Sequence, residues 1–379
     1  MSKKIKITIT LLLVASLALS FGVGCTLGAS APSSVNLGWD VVEEAWDIIF
    51  QDYVDRDKLD ASALSQAAIK GMIEVLDDPY TSYMGAQTYE LSMSDLEGKF
   101  EGIGAYVGVR DEQLMIIAPI PGSPAAEAGI RAGDIILEVD GNPTLGMSLE
   151  EAVLHIRGPK GTPVGLLVLH QGETEPEEIE IIRAEIEVPS IHFEMREDIA
   201  YIHIYHFSER SNEELSPVLE KINQEGATGI ILDLRSNPGG LLDVVVDMAS
   251  YFLKEGTVVY VVDNQGKRTS LSVKPQDIII ELPLVALSDN YSASGSEVLI
   301  GALQDYDRAT IAGTKTYGKG SVNTLHHLKD GSGLYITTAR WLTPSGRLIE
   351  GEGIEPDYPL ELEGEDVIQW AIDYLKSNK

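Results

Sequence analysis

The sequence predicts a multidomain α+β architecture, from three changes of pattern along the chain. Apolar residues recur at helical spacing from Trp39 to about Leu96, glycine-punctuated short strands fill Gly98 to Glu187, and strands alternate with helices from Ile191 onward. The 379 residues leave room for two or three domains, and 44% hydrophobic with 23% charged content is that of a globular protein. With 59 acidic residues against 28 basic ones, the formal charge of −31 argues against a nucleic-acid partner and against general adhesion to an anionic membrane.

In chain order, Lys3, Lys4 and Lys6 precede an apolar run from Ile7 to Val23. Residues 1–30 therefore read as a signal peptide or a membrane or lipid anchor. The bulk of the protein is expected outside the cytoplasmic membrane, secreted or anchored to its outer face, with membrane contact only through this segment. The sole cysteine, Cys25, excludes an intrachain disulfide and is a candidate for lipidation, although Gly22-Val23-Gly24 matches the bacterial lipobox poorly.

Residues 36–97 read as a helical N-terminal domain. Val42, Trp46, Ile49 and Tyr53 share one helix face, and Leu64, Ala68, Met72 and Val75 another. Asp77-Asp78-Pro79 ends the second helix, because proline disfavours helix at the residue before it. Ala86 to Leu96 gives a third helix, and nothing in this region looks catalytic.

Residues 98–187 carry strands at 105–109, 114–117, 135–139, 164–169 and 179–182, with helices after Ser123-Pro124 and over 149–156. Residues 188–363 alternate strands (199–207, 228–235, 258–262, 284–287, 308–313) with helices at 213–225 and 241–253, an α/β pattern with crossover helices. Residues 364–379 end in a helix. Whether the helical ends pair in a homodimer is left open by the sequence.

Chemistry concentrates at Asn290-Tyr291-Ser292-Ala293-Ser294-Gly295-Ser296-Glu297, a strand-to-helix turn where backbone N–H groups lack partners. Two readings compete there: a serine nucleophile beside an oxyanion hole, or a Ser-x-x-Glu capping box that only starts the helix. Asp233-Leu234-Arg235-Ser236-Asn237-Pro238-Gly239-Gly240 supplies a glycine turn suited to one half of an oxyanion hole, with the Gly295 N–H as the other half. In Thr316-Tyr317-Gly318-Lys319-Gly320-Ser321-Val322-Asn323, strand alternation places Lys319, Ser321 and Asn323 on one face. The Asn323 amide is thus expected to hold the lysine amine, and burial to lower its pKa so that it can deprotonate serine. No histidine arrangement, zinc spacing or nucleotide loop is present, so no metal and no cofactor are expected.

The stretch Gly122 to Gly141, Gly-Ser-Pro-Ala-Ala-Glu-Ala-Gly-Ile-Arg-Ala-Gly-Asp-Ile-Ile-Leu-Glu-Val-Asp-Gly, resembles a PDZ domain. That resemblance implies a groove adding a peptide as a strand, with Gly102-Ile103-Gly104-Ala105 as the carboxylate-binding loop; the plainer alternative is a hairpin turn. The whole order of helical region, PDZ domain, Asp-Leu-Arg-x-Asn-x-Gly-Gly, Ser-Ala-Ser-x-Ser-Glu and Thr-x-Gly-Lys-Gly-Ser-Val is similar to the carboxyl-terminal processing (tail-specific) proteases. Leu76 to Tyr83, Thr343-Pro344-Ser345-Gly346 and Gly351 to Asp357 match too.

The resemblance implies a crotonase/ClpP-like core and a serine endopeptidase that takes protein or peptide substrates with accessible C-termini. Ser294 would be its nucleophile and Lys319, 25 residues later, its base. Gly295 with Gly239 or Gly240 would bind the oxyanion, and Asp305 would lend support. Where the family has glutamine four residues after the lysine, this chain has Asn323. Two rivals stand beside this reading. One is an inactive PDZ-bearing scaffold; the other is a trypsin-like protease, which predicts a trailing PDZ domain and a Gly-x-Ser-Gly-Gly serine, both absent from the sequence.

Overall fold

A computed structural model describes residues 34–110, 112–362 and 364–378. The expected export segment, 1–30, and Cys25 lie outside them. The chain divides into a unit ending at Ile69 and a larger unit beginning at Lys70.

In the first unit a helix spans Ser34–Asp52, and a short 3-10 turn, Arg56–Lys58, precedes the start of the helix Ala61–Glu74. The Trp46 and Phe50 rings, one helical turn apart, lie 4.9 Å from each other. Trp39, Val41 and Ile48 are exposed. Among the described residues no helix is long and apolar enough to cross a membrane.

In the larger unit a six-stranded sheet runs in the order Ile191–Arg196, Ile199–Ile204, Gly229–Asp233, Leu284–Ser288, Thr310–Gly313 and Tyr358–Pro359. The first pair is antiparallel and the others parallel. The near-continuous apolar run 229–233 sits at the centre because both of its faces are covered. On one face Leu215, Leu219, Val245 and Leu299 of three helices pack against Ile202, Ile230, Leu232 and Ala286. On the other, Val367, Ile368, Ala371 and Ile372 of the helix Glu365–Ser377 pack against Ile199, Ile231, Val285 and Leu287. Crossovers of this kind leave loops at the carboxyl ends of parallel strands, the usual place for a site in an open α/β sheet.

A second sheet, five-stranded and antiparallel, joins Ser82–Met84, Gly333–Leu342, Thr257–Asp263, Arg268–Ser272 and Ser321–His327. Here the structure departs from the expected helical block 36–97. Ser82–Met84 is a strand paired with Tyr335, Leu334 and Gly333. Three residues carry too little periodicity to read, and their partner lies about 250 positions away in the sequence.

Between residues 99 and 187 a β-rich region closes on itself, with Lys99–Gly102 paired to Ala184–Glu187. Its core holds Ile116, Ile136, Val164, Leu166, Ala152 and Ile156. The buried Arg183 guanidinium donates to the carbonyls of Ile156 (2.8 Å), Pro163 (2.8 Å) and His155 (3.0 Å), satisfying the C-terminal end of the helix Leu149–Ile156.

Buried His170 stands between two carboxylates, with Nδ1 3.0 Å from Asp134 Oδ2 and Nε2 3.3 Å from Glu177 Oε2. The Asp134 contact lacks hydrogen-bond alignment but acts as an ion pair. Asp134 holds the imidazolium above its ordinary pKa, aided by Glu177, against the opposing effects of burial and Arg131. A raised histidine stabilises the fold fully below its unfolded value of about 6.5 and loses that contribution as pH rises through the folded value. Protection of the Ile116 and Gly133 amides, which bond across the Asp134 turn, should therefore fall as pH rises above about 6.5. His170→Gln should remove this dependence in hydrogen exchange corrected for intrinsic rates.

Candidate active site

Ser294 follows the strand Leu284–Ser288 and opens the helix Gly295–Asp305 with φ 53° and ψ −111°. A side-chain-bearing residue held there costs about 1–3 kcal/mol, so surrounding bonds must over-determine the turn. Several do. Ser292 Oγ donates to Leu234 O at 2.8 Å, and Ser296 Oγ donates to Asn237 O at 3.0 Å. The Ala293 N–H also reaches Asn237 O, at 3.0 Å. Asn237, fully buried, fastens itself in turn by donating Nδ2 to Ile204 O at 2.8 Å. The two flanking serines therefore tie the turn around Ser294 to the glycine turn of the neighbouring strand.

Glycine is required in that second turn. At Gly240 a Cβ would lie 2.1 Å from Phe207 O, and at Gly239 one would lie 2.7 Å from the Gly295 nitrogen. The Gly239 N–H is already committed, donating to Asn237 Oδ1 at 2.8 Å. Of the two expected donors from this turn, Gly239 is thus occupied. Among the described residues neither the Gly240 N–H nor the Gly295 N–H meets an acceptor.

Glu297 is fully buried and accepts four hydrogen bonds. Oε2 takes the N–H groups of Ser294 (2.9 Å) and Lys319 (2.8 Å); Oε1 takes Thr316 Oγ1 (2.6 Å) and the Gly318 N–H (2.7 Å). The residue that reads as half of a capping box therefore also binds a loop 21 to 22 residues away. Burial pushes its carboxyl pKa up against the lowering effect of these donors.

The lysine is fixed by its backbone. Its N–H goes to Glu297, and its carbonyl accepts the Trp341 indole N–H at 3.0 Å. Its amine, among the described residues, has no hydrogen bond and no ion pair, and none joins it to Ser294 Oγ. Nζ stands 5.2 Å from the Tyr80 ring centroid and 5.7 Å from that of Tyr335. Burial lowers the Lys319 pKa, opposed by the charges of Glu350, Asp78 and Glu297.

Asn323 does not do what strand alternation suggested. A register shift between Val322 and Asn323 breaks that alternation. Its Nδ2 donates to Tyr80 O (3.1 Å) and Thr337 Oγ1 (2.9 Å), and its Oδ1 accepts from Ser321 Oγ (3.1 Å). Asp305 lies at the opposite end of the 11-residue helix from Ser294, about 16 Å along it. It accepts from Ser345 N at 2.7 Å and Arg347 Nη2 at 2.5 Å, and so anchors the Thr343–Arg347 turn. Burial pushes its pKa up, but hydrogen bonds from Thr343 and Ser345, with Arg347, outweigh that and leave it lowered.

A cavity of about 710 Å³ runs from Ile103, Gly104 and Ala105 of the PDZ loop to Pro238, Gly239 and Gly240. Gly104 must be glycine, since with φ +77° a Cβ would fall 2.4 Å from Ser123 Cβ. The Gly104 carbonyl is held by Ser123 Oγ at 2.7 Å and the Ile120 N–H at 2.9 Å. The N–H groups of Ile103 and Gly104 meet no acceptor among the described residues. Gly102 ends the preceding strand.

Sequence reasoning missed Glu297 as a cross-loop clamp, and it missed Tyr80 and Tyr335. Tyr80 falls in a region read as non-catalytic. The signal for Glu297 was its burial-prone place in an otherwise apolar helix.

Two outcomes follow for this site. Glu297→Ala strands buried donors, each costing about 1–3 kcal/mol, and should lower the guanidinium unfolding free energy by at least about 2 kcal/mol, with Glu297→Gln losing less. Lys319→Met should stabilise the fold at neutral pH, because the unfolded chain binds a proton that the buried amine resists. Wild-type stability should then rise relative to the variant as pH approaches the free lysine value of about 10.4, read from melting curves.

Residues 198–360 match Peptidase family S41, residues 115–169 a PDZ domain, and residues 28–88 the Activating protease CtpB N-terminal domain. A CtpA-like serine protease of Staphylococcus aureus (strain COL) is 38% identical over 323 residues, 84% of this chain and 64% of the relative. One from Staphylococcus haemolyticus is 39% identical over 322 residues, 83% of this chain and 63% of the relative. This chain thus spans a little under two thirds of these curated relatives. The solved photosystem II D1 C-terminal processing protease superposes with a TM-score of 0.53 at 29% identity, covering 84% of this chain and 91% of that one. An S41 protease from Bacteroides fragilis shares the fold, with a TM-score of 0.54 at 15% identity over 88% of this chain and 97% of that one. Residues 198–360 thus form a Peptidase family S41 domain behind a PDZ domain and an N-terminal domain like that of the activating protease CtpB, and the structure matches a solved C-terminal processing protease.

Proposed function

We propose that the protein is a serine endopeptidase with a Ser294/Lys319 dyad, acting on polypeptides captured by their C-terminal end in the PDZ groove. The observation that carries this reading is the Glu297 carboxylate, which bonds the backbone of both Ser294 and Lys319 and so fastens the two loops together. The cavity supports the substrate half: it joins the free N–H groups of Ile103 and Gly104, suited to a terminal carboxylate, to the glycine turn beside Ser294.

In the reaction, neutral Lys319 Nζ takes the Ser294 Oγ proton as Oγ attacks the scissile carbonyl carbon. The oxyanion is held by the N–H groups of Gly240 and Gly295, each such donor contributing about 2.7–4 kcal/mol. Collapse breaks the C–N bond, the leaving amine takes the proton from Lys319, and the acyl group remains as an ester on Oγ. Water, deprotonated by Lys319, then releases the new carboxylate and returns the proton to Ser294. Lysine and serine come into hydrogen-bond contact as substrate docks, as catalytic bonds often tighten only in the complex. Lys3 to Val23 would export this activity across the cytoplasmic membrane.

The inactive-scaffold reading leaned on Asn323 in place of glutamine. Asn323 does not touch the Lys319 amine, so that substitution loses its force. The test is turnover of a denatured protein with an accessible C-terminus. Wild type should cleave it while Ser294→Ala and Lys319→Ala retain the fold and fall to background; cleavage that survives either change would refute the dyad. Mass spectrometry of the trapped acyl-enzyme should place the adduct on Ser294. Gly240→Ala should lose activity at least about 10²-fold, through the clash with Phe207 O and the displaced oxyanion donor.

A further inference from the structure

We infer that Tyr80 and Tyr335 are positioning residues for Lys319, forming an aromatic slot that places its amine. This rests on the reading of Lys319 as the general base. The lysine backbone is held at both ends, by Glu297 and by the Trp341 indole, yet among the described residues no hydrogen-bond partner holds the amine itself. Two ring faces stand against Nζ, their centroids 5.2 Å and 5.7 Å away. A carboxylate or amide acceptor in their place would lock a proton on the amine. Ring faces fix its position and exclude water while leaving the lone pair free when the amine is neutral.

The backbone that carries both rings is itself pinned. The Tyr80 N–H donates to Asp78 Oδ1 at 3.1 Å, and its carbonyl accepts Asn323 Nδ2 at 3.1 Å. The next residue, Thr81, accepts the Thr337 N–H at 3.1 Å. Tyr335 is paired on both sides, with Ser82 and with Leu325. Asn323 thus serves the lysine at one remove, by setting the backbone that carries the Tyr80 ring. Burial keeps both phenols protonated. The charged groups acting on the amine are Glu350, Asp78 and Glu297, and all three favour the cation, while burial of the amine opposes them. Tyr335 also lines the substrate cavity, whereas Tyr80 does not, so Tyr80 gives the cleaner test.

The experiment compares Tyr80→Leu, Tyr80→Ala and Tyr80→Phe in the full chain, on a denatured protein substrate, after Lys319→Ala has been assayed. Tyr80→Leu and Tyr80→Ala should lower kcat by about tenfold, one decade of a general-base contribution of about 10²–10⁴, with KM unchanged. Opening the slot to water lets the amine pKa climb, so the rising limb of kcat/KM should move to higher pH. Tyr80→Phe, which keeps the ring face, should recover most of the loss and the wild-type limb. Asn323→Ala should cost no more on top of Tyr80→Ala than a small remainder, because both changes remove the same support.

If Tyr80→Ala fails to fold, Tyr80→Leu and a ¹⁵N-lysine titration of Lys319 in the Ser294→Ala protein, with and without Tyr80→Leu, carry the same comparison. An unmoved limb and an unmoved lysine titration in Tyr80→Leu would overturn the slot. So would a Tyr80→Phe protein as impaired as Tyr80→Leu, which would assign the effect to the hydroxyl. Cleavage persisting in Lys319→Ala would instead overturn the dyad on which the slot rests.

Discussion

The site depends on one buried carboxylate. Glu297 sits in the first turn of its helix and accepts from two segments that are far apart in sequence, the Ser294 turn and the Thr316–Lys319 loop. A buried carboxylate is tolerated only when its lone pairs are filled, and four donors fill them here. The same bonds satisfy N–H groups that a helix start and a glycine loop would otherwise leave orphaned. The requirement runs both ways: the acid needs the loops, and the loops need the acid.

Around this clamp the parallel sheet acts as a ruler. Asp233 and Leu287 are register partners on adjacent strands, so the turns that follow them leave the sheet side by side. Asn237 and the flanking serines then stitch those turns together, which is why glycine is needed at 239, against the Ser294 turn; at 240 it is the Phe207 backbone that leaves no room for a side chain. The strain at Ser294 persists because this stitching leaves the turn no other conformation.

Much of this was legible in the residues. Apolar runs at 229–233 and 284–288 announce buried parallel strands, and helical periods give helix positions to within a few residues. Glycines 239, 240 and 104 advertised close backbone approach. What escaped was non-local. Ser82–Met84 becomes a strand only because residues 333–335 wait for it, and the second role of Glu297 requires a loop that its own helix cannot reveal. Asn323 misled because strand alternation holds only while the register does, and a single irregularity at 322–323 redirects its amide to Tyr80. The lysine's aromatic neighbours come from positions 80 and 335, brought together by pairing across most of the chain.

That wide separation bears on the order in which the molecule matures. The groups around Lys319 come from positions 80, 297, 335 and 341, so loop closure over long stretches of chain must precede their meeting. Until the strand at 82–84 is paired and the Glu297 bonds are made, the lysine is an ordinary hydrated cation and the serine an ordinary hydroxyl. If Ser294 and Lys319 act as the proposed dyad, a half-folded copy would lack the activated pair, and bond cleavage would wait on these long-range contacts. Long-range assembly doubles as a built-in delay.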